Sequence, residues 1–195
     1  MNRFSTGLKA VLLVLAGLSL LTLVSTKALA ATAQEIDQEV DKALQELFEK
    51  SPQAKQLAKM AKGILVFPKI YKAGFIVGGQ YGEGALRIHG TTVAYFKSVG
   101  ASYGLQAGAQ SFGYALFFMT HDSLKYLFNS KGWEIGVGPS IVVVDAGAAS
   151  SFTTTTAKDD IYAFFFNQKG LMAGLGLQGT KITPFEPEGA DQAGN

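Results

Sequence analysis

From about Gly63 onward the side chains alternate with a period of two, and one of the two faces is built largely of glycine. Residues 102–110 show it most clearly. Tyr103, Leu105, Ala107 and Ala109 fall on one side, and Ser102, Gly104, Gln106, Gly108 and Gln110 on the other. The same pattern sets Trp133, Ile135 and Val137 against Glu134, Gly136 and Gly138. It also sets Leu171, Ala173, Leu175 and Leu177 against Met172, Gly174, Gly176 and Gln178. A period of two means strands, because successive side chains point to opposite faces of a sheet. Glycine inside a strand weakens it and marks a bulge, a bend or a close approach. A chain patterned this way builds a strongly curved sheet, or one against which another element docks closely. The densest region is Ala61–Gly84, with Gly63, Gly74, Gly78, Gly79, Gly82 and Gly84, the apolar runs Ile64–Phe67 and Phe75–Val77, and three lysines.

Further strands are predicted near 64–67, 73–81, 91–98, 112–119, 140–145 and 160–167. His89-Gly90 reads as a hairpin turn, and Asn167–Gly170 as a turn joining two strands. Ser150–Asp160 is polar and Thr-rich and reads as an exposed loop. Few segments follow strand–helix–strand order, which argues against a doubly wound parallel sheet.

Ahead of the strands the period is helical. Thr32 and Glu35 form a capping-box pair, and Ile36, Val40, Leu44, Leu47 and Phe48 then give an apolar stripe, predicting a helix over 33–50. Ser51-Pro52 is an N-cap followed by Pro at the first helical position, so a second helix runs to about residue 60. A short helix fits His121–Asn129. The fold class expected is α+β: two N-terminal helices packed on a strongly curved antiparallel sheet, or barrel-like sandwich, with one short inserted helix.

The first thirty residues read as a secretory signal. Arg3 and Lys9 precede the apolar run Ala10–Val24, and Ala28-Leu29-Ala30 fits a small-x-small cleavage site. An uncleaved anchor is the other reading, but the run is shorter than the roughly 20 residues a span needs. The expected organisation is a signal over 1–30, helices over 31–61, a β-rich domain over 62–182 and a disordered tail over 183–195. A signal of this kind predicts export from the cytoplasm. With no Cys in the chain, disulfides and thiolate metal sites are excluded. Loss of Arg3, Lys9 and Lys27 takes the 17 basic residues to 14, against 15 acidic ones. A near-neutral chain does not suit a nucleic-acid partner. The charge is nevertheless uneven: six of the acids lie within 31–49, whereas 50–97 holds eight bases and only Glu83.

Catalytic patterns are weak. Gly174-Leu175-Gly176-Leu177-Gln178-Gly179 matches the dinucleotide string, but no helix is expected after it to hold a pyrophosphate. His89 and His121 have no metal-ligand spacing, and Asp159 and Asp160 are adjacent and so point to opposite faces of a strand. The expectation is no enzyme, no cofactor and no metal.

Ala61-Lys62-Gly63, Lys72-Ala73-Gly74-Phe75 and Gly79-x-x-Gly82-x-Gly84 resemble the opening of the SYLF domain. Gly138-Pro139 and the closing run Gln168–Gly179 resemble its later motifs. The resemblance spans roughly 57–181. It is nearest the family's bacterial exported branch, through Gly132-Trp133-Glu134-Ile135-Gly136-Val137-Gly138-Pro139-Ser140. It implies lipid binding without enzymatic activity, and for an exported member of that branch a place in the periplasm or outer envelope of a bacterium. Eukaryotic members bind phosphoinositides, through an N-terminal amphipathic segment and basic residues, and some bind actin filaments. The function expected is a non-enzymatic, exported protein binding membrane lipids, anionic or phosphoinositide-like, with protein partners unspecified. The alternative is a structural or protein-interaction module of the envelope.

For an anionic headgroup the expected contacts are Lys62, Lys69 and Lys72, supported by Lys55 and Lys59. Lys55, Lys59 and Lys62 share one helix face by spacing. Lys69 and Lys72 flank Pro68, Ile70 and Tyr71 in an expected short connection between strands. The competing reading is that these lysines pair with the acids of the first helix.

Overall fold

Helix α1 (Ala33–Lys50) starts where its sequence says it should. The Glu35 amide donates to the Thr32 hydroxyl at 3.3 Å, and the Glu35 carboxylate accepts from the Thr32 amide at 2.8 Å. The bond from the Thr32 amide, and then one from the Thr32 hydroxyl at 2.9 Å, hold the Glu35 carboxyl below its ordinary pKa. Ala33, Ile36, Val40, Ala43 and Leu47 form the buried stripe. Ser51 ends α1, and its hydroxyl accepts from the Ala54 amide to open α2 (Pro52–Ala58). The computed structural model describes residues 31–75, 77–103, 108–144, 158–170 and 179–190, with backbone alone at 75, 102, 103 and 170. The expected signal over 1–30 and strand over 171–178 lie outside the described residues, as does most of the loop over 150–160.

Among the described residues eight strands follow: β1 (Gly63–Phe75), β2 (Val77–Ile88), β3 (Thr91–Tyr103), β4 (Gly108–Phe118), β5 (Trp133–Glu134), β6 (Ile141–Val144), β7 (Ile161–Gly170) and β8 (Thr180–Phe185). Helix α3 (His121–Asn129) is inserted after β4, N-capped by Thr120. The strands form one strongly curved half-barrel sheet in the order β5-β8-β3-β2-β1-β4-β7-β6. β1, β2 and β3 form a meander and β4 returns beside β1, which is a Greek key. The sheet is mixed rather than wholly antiparallel, because β6 runs parallel to β7. His89 (φ 52°) and Gly90 (φ 85°) make the tight β2–β3 turn, the conformation such a hairpin needs at both central residues.

The sheet buries both faces. On the α1 face, the helices pack over Val66, Ala85, Ala115, Phe117, Tyr162, Phe164 and Phe166. On the α3 face, Leu65, Phe67, Ile70, Leu86, Phe96, Leu116 and Phe118 pack with Leu124, Leu127 and Trp133. The glycine face belongs to this second layer. A Cβ on Gly84 would run into the Val66 carbonyl oxygen and the Phe67 ring, and one on Gly82 into the Lys69 carbonyl oxygen and Ile70. The element that docks closely on these glycines is the neighbouring strand β1, bent over them.

Several sequence expectations need correction. Residues 73–81 are not one strand: β1 turns into β2 between Phe75 and Val77, with Gly74 opposite Gly78. The alternating run 102–110 is likewise split between β3 and β4, which are not neighbours, and 104–107 lie outside the described residues. Only Trp133 and Glu134 of the 133–138 run are strand, since Gly136 (φ 106°) and Gly138 (φ 96°) turn the chain away. Asn167–Gly170 is not a hairpin turn but the end of β7, still opposite Ser111 and Gln110 of β4. The tail over 183–190 is ordered: Thr183–Phe185 continue β8 beside β3, and the Glu188 carbonyl accepts from the Ala33 amide at 2.9 Å. Phe185 supplies the reason, with its ring against Tyr95 and under the Lys97 ammonium.

Two β-bulges decide which side chains reach which face. In β1, four residues between Val66 and Tyr71 face three between Ala85 and Tyr81 of β2. In β7, two residues between Phe166 and Lys169 face Phe112 alone of β4, and Asn167 there has φ 53°. An extra residue in a strand reverses the facing of everything beyond it. Past Pro68-Lys69, therefore, Ile70 and Lys72 point to the α3 face and Tyr71 to the α1 face.

Candidate functional site

The five expected lysines do not form one cluster. Lys55 and Lys59 are exposed on α2 and at its C-cap, and Lys62, also exposed, donates its amide to the Phe118 carbonyl at 2.7 Å just before β1. Lys69 and Lys72 are not in a connection between strands; both lie within β1, Lys69 in the bulge and Lys72 beyond it. At about 3.3 Å per strand residue, Lys69 sits roughly 20 Å and Lys72 roughly 30 Å along β1 from Lys62. Lys72 also departs from the expectation in its exposure. It is only 7% exposed and faces the interior, whereas Lys69 is exposed.

Among the described residues no ion pair joins the acids of α1 to these lysines, although the Glu39 carboxylate, after contact with Tyr71, helps raise the Lys69 pKa. Among the described residues, their ion-pair partner is Arg87 of β2, which meets Asp41 at 2.7 Å and Asp37 at 3.6 Å. Asp37 also accepts from Thr92 at 2.7 Å and from the Tyr95 hydroxyl at 3.1 Å. Burial, then the Asp37 carboxylate, pushes the Tyr95 pKa up to about 12. This clamp ties α1 to the β2–β3 hairpin. Arg87 was legible in one respect only: apart from Arg3 it is the sole Arg of the chain.

Beyond the bulges the register lines up two neighbouring rows. The first, on the α1 face, runs across six strands: Lys169, Ser111, Tyr71, Tyr81, Val99 and Lys181. Its centre is open, with Tyr71 58%, Val99 46% and Tyr81 44% exposed, and Val77 lies exposed nearer the hairpin end. The Lys69 ammonium stands 5.0 Å from the Tyr71 ring centre, a cation–π distance, and contact with Tyr71 raises the Lys69 pKa. Tyr81 donates to Glu83 at 2.5 Å; burial, then this carboxylate, pushes its pKa up to about 12. An apolar, aromatic strip edged by cations is a surface for meeting something. Sequence reasoning missed it because the bulge, not the local pattern, brings Tyr71 beside Tyr81.

The second row lies one residue further along, on the α3 face: Gly170, Gln110, Lys72, Gln80, Gly100 and Thr180. Its polar side chains are buried, Gln80 at 8% and Gln110 at 6% exposed. Gln80 donates its amide to the Thr180 hydroxyl at 2.7 Å. A third feature is a groove of about 310 Å³ between α1 and the two bulges, lined by Glu39, Lys42, Glu46, Lys69, Asn167 and Lys169. Its walls are already tied together: Asn167 donates to Glu46 at 2.7 Å and accepts from Lys50 at 3.2 Å. Among the described residues no group of three or more His, Asp or Glu could hold a metal ion, and no helix is long and apolar enough to cross a membrane.

The architecture is thus a half-barrel sheet between a pair of helices and a single short one, presenting an aromatic row bordered by lysines. Residues 99–190 match the family model described as Ysc84, Las17-binding protein actin regulator, and the SYLF resemblance is shown over that stretch. The match takes in β4 to β8 with α3, and begins after the glycine-dense opening at 61–84. No curated protein matches the chain.

Proposed function

We propose that this chain is a non-enzymatic, exported SYLF protein that binds anionic lipid surfaces at the cell envelope through the open row of its α1 face. The observation that carries the proposal is the exposed Tyr71–Tyr81–Val99 strip with Lys69, Lys169 and Lys181 around it. Tyrosine is favoured where one end of a side chain is apolar and the other wet, as at a membrane interface. Each Lys near an anionic surface contributes about 1 kcal/mol, so three contribute roughly 3 kcal/mol, enough for weak, salt-sensitive attachment. Export rests on the signal pattern of residues 1–30.

Co-sedimentation with vesicles tests the proposal. The protein should pellet with phosphatidylcholine vesicles containing phosphatidylglycerol, pellet less with pure phosphatidylcholine, and be released by salt. The double change Tyr71→Ser with Tyr81→Ser should abolish pelleting while leaving the fold intact. Undiminished pelleting by that variant would move the lipid contact elsewhere. The second reading, a protein-docking module, is favoured by the family description, which names Las17 binding and actin regulation. On that reading the same double change leaves vesicles irrelevant and removes an envelope protein partner.

A further inference from the structure

We infer that the groove between α1 and the two bulges binds a phosphate ester that carries a primary ammonium, the chemistry of an ethanolamine phosphate headgroup. The inference deepens the lipid reading, and rests on it only for the source of that group. The groove's volume of about 310 Å³ is at the small end of ligand sites. Its wall on the sheet spans three strands. Ser111 and Phe112 of β4 lie in the middle, with Lys69 in the β1 bulge on one side and Lys169 of β7 on the other. The backbones that carry the two lysines are thus two strand spacings apart, roughly 10 Å, and both lysines are exposed. The facing wall is one stripe of α1, where Glu39, Lys42 and Glu46 follow one another at helical spacing.

Charges of both signs therefore line one cavity, and among the described residues no ion pair joins Glu39 or Glu46 to Lys42, Lys69 or Lys169. Glu46 is engaged otherwise, since it accepts from Asn167 at 2.7 Å. Glu39 is the acid that remains, and it is close enough to the Lys69 ammonium to help raise its pKa. Opposite charges that feel each other across a gap without pairing leave room for a group bearing both signs. Lysine only donates and a carboxylate only accepts, so the phosphate oxygens go to Lys69 and Lys169 and the ammonium to Glu39. A bare anion would be repelled by Glu39, and a bare cation by three lysines. A choline phosphate has the right charges but no N–H for Glu39. The position of the groove suits an amphiphile. Lys169 and Ser111 line it and also begin the aromatic row, so a headgroup held there has its apolar end towards Tyr71.

Calorimetric titration of the full chain at pH 7 and constant ionic strength tests the site. Glycerophosphoethanolamine should bind about tenfold more tightly than glycerophosphocholine or inorganic phosphate. Glu39→Gln should reduce glycerophosphoethanolamine to the level of glycerophosphocholine, whereas Lys169→Gln should weaken both esters and keep their ratio. Both changes fall on exposed side chains, where substitution leaves the fold intact. Vesicles separate the sources. Stronger pelleting when phosphatidylethanolamine replaces phosphatidylcholine beside phosphatidylglycerol assigns a lipid headgroup. Titration as expected without that gain assigns a soluble ester; either supports the groove. Failure of the lipid reading is a different result, no pelleting on any vesicle, and leaves the titration standing. Equal affinity for the two esters, a preference that survives Glu39→Gln, or no heat of binding with any of the three solutes would each overturn the inference.

Discussion

Two adjacent rows of the same six strands have opposite characters. The row Lys169-Ser111-Tyr71-Tyr81-Val99-Lys181 turns large apolar groups to the outside. The next row, Gly170-Gln110-Lys72-Gln80-Gly100-Thr180, turns a lysine and two glutamines to the inside. Hydrophobicity alone would have placed them the other way round. What reverses them is one extra residue in β1 and one in β7, because a strand's facing changes with every residue added. The lesson is that a binding surface on a sheet can be created by a bulge some distance from it, with no change in the residues that form it.

The largest expected effect tests that facing directly. Ile70 is fully buried and Tyr71, its neighbour, is mostly exposed. Ile70→Ala should cost about 2–5 kcal/mol in a urea titration, whereas Tyr71→Ser should stay within about 0.5 kcal/mol. Comparable costs for the two would mean that the bulge does not divide the faces as described.

A smaller effect compares two glycines of β2. Gly84→Ala should cost about 1–3 kcal/mol, since its Cβ would overlap β1. Gly79→Ala should cost less, because its Cβ would meet only the Gly100 carbonyl oxygen, at an ordinary 3.9 Å. Equal denaturation midpoints would show that β1 does not lean over Gly84.

The clamp on α1 gives a pH dependence. Tyr95 has its folded pKa raised to about 12, first by burial and then by Asp37, above an unfolded value of about 10. Its contribution is therefore present in full below about pH 10 and is lost as the pH rises towards 12. Unfolding midpoints measured from pH 8 to 12 should fall over that window. Tyr95→Phe should make the fall shallower without removing it, because Tyr81 is shifted the same way. An unchanged slope in Tyr95→Phe would exclude Tyr95 as a source.

The smallest effect is at the far end of β1. Lys62→Gln should leave stability within about 0.5 kcal/mol and vesicle pelleting unchanged, while Lys69→Gln weakens pelleting. A loss of pelleting in Lys62→Gln would restore the basic cluster expected from the sequence and weaken the case for the aromatic row.

The sequence by itself determined the helices and the hairpin turn. Thr32 with Glu35, Ser51 with Pro52, and His89 with Gly90 are local signals, and each acts within a few residues of itself. It also determined that the sheet must be glycine-lined and curved, because alternation and glycine content are read along one strand. Only the tertiary structure decided where Lys72 and Tyr71 point. The bulges at Pro68-Lys69 and Asn167 exist only in relation to partner strands, and no window of β1 or β7 reveals how many residues lie opposite. Arg87 joins Asp37 and Asp41 across some fifty positions of chain for the same reason. Strand pairing is a non-local choice, made by burying both faces of the sheet together, and it is that choice which set the charged and aromatic rows on opposite sides.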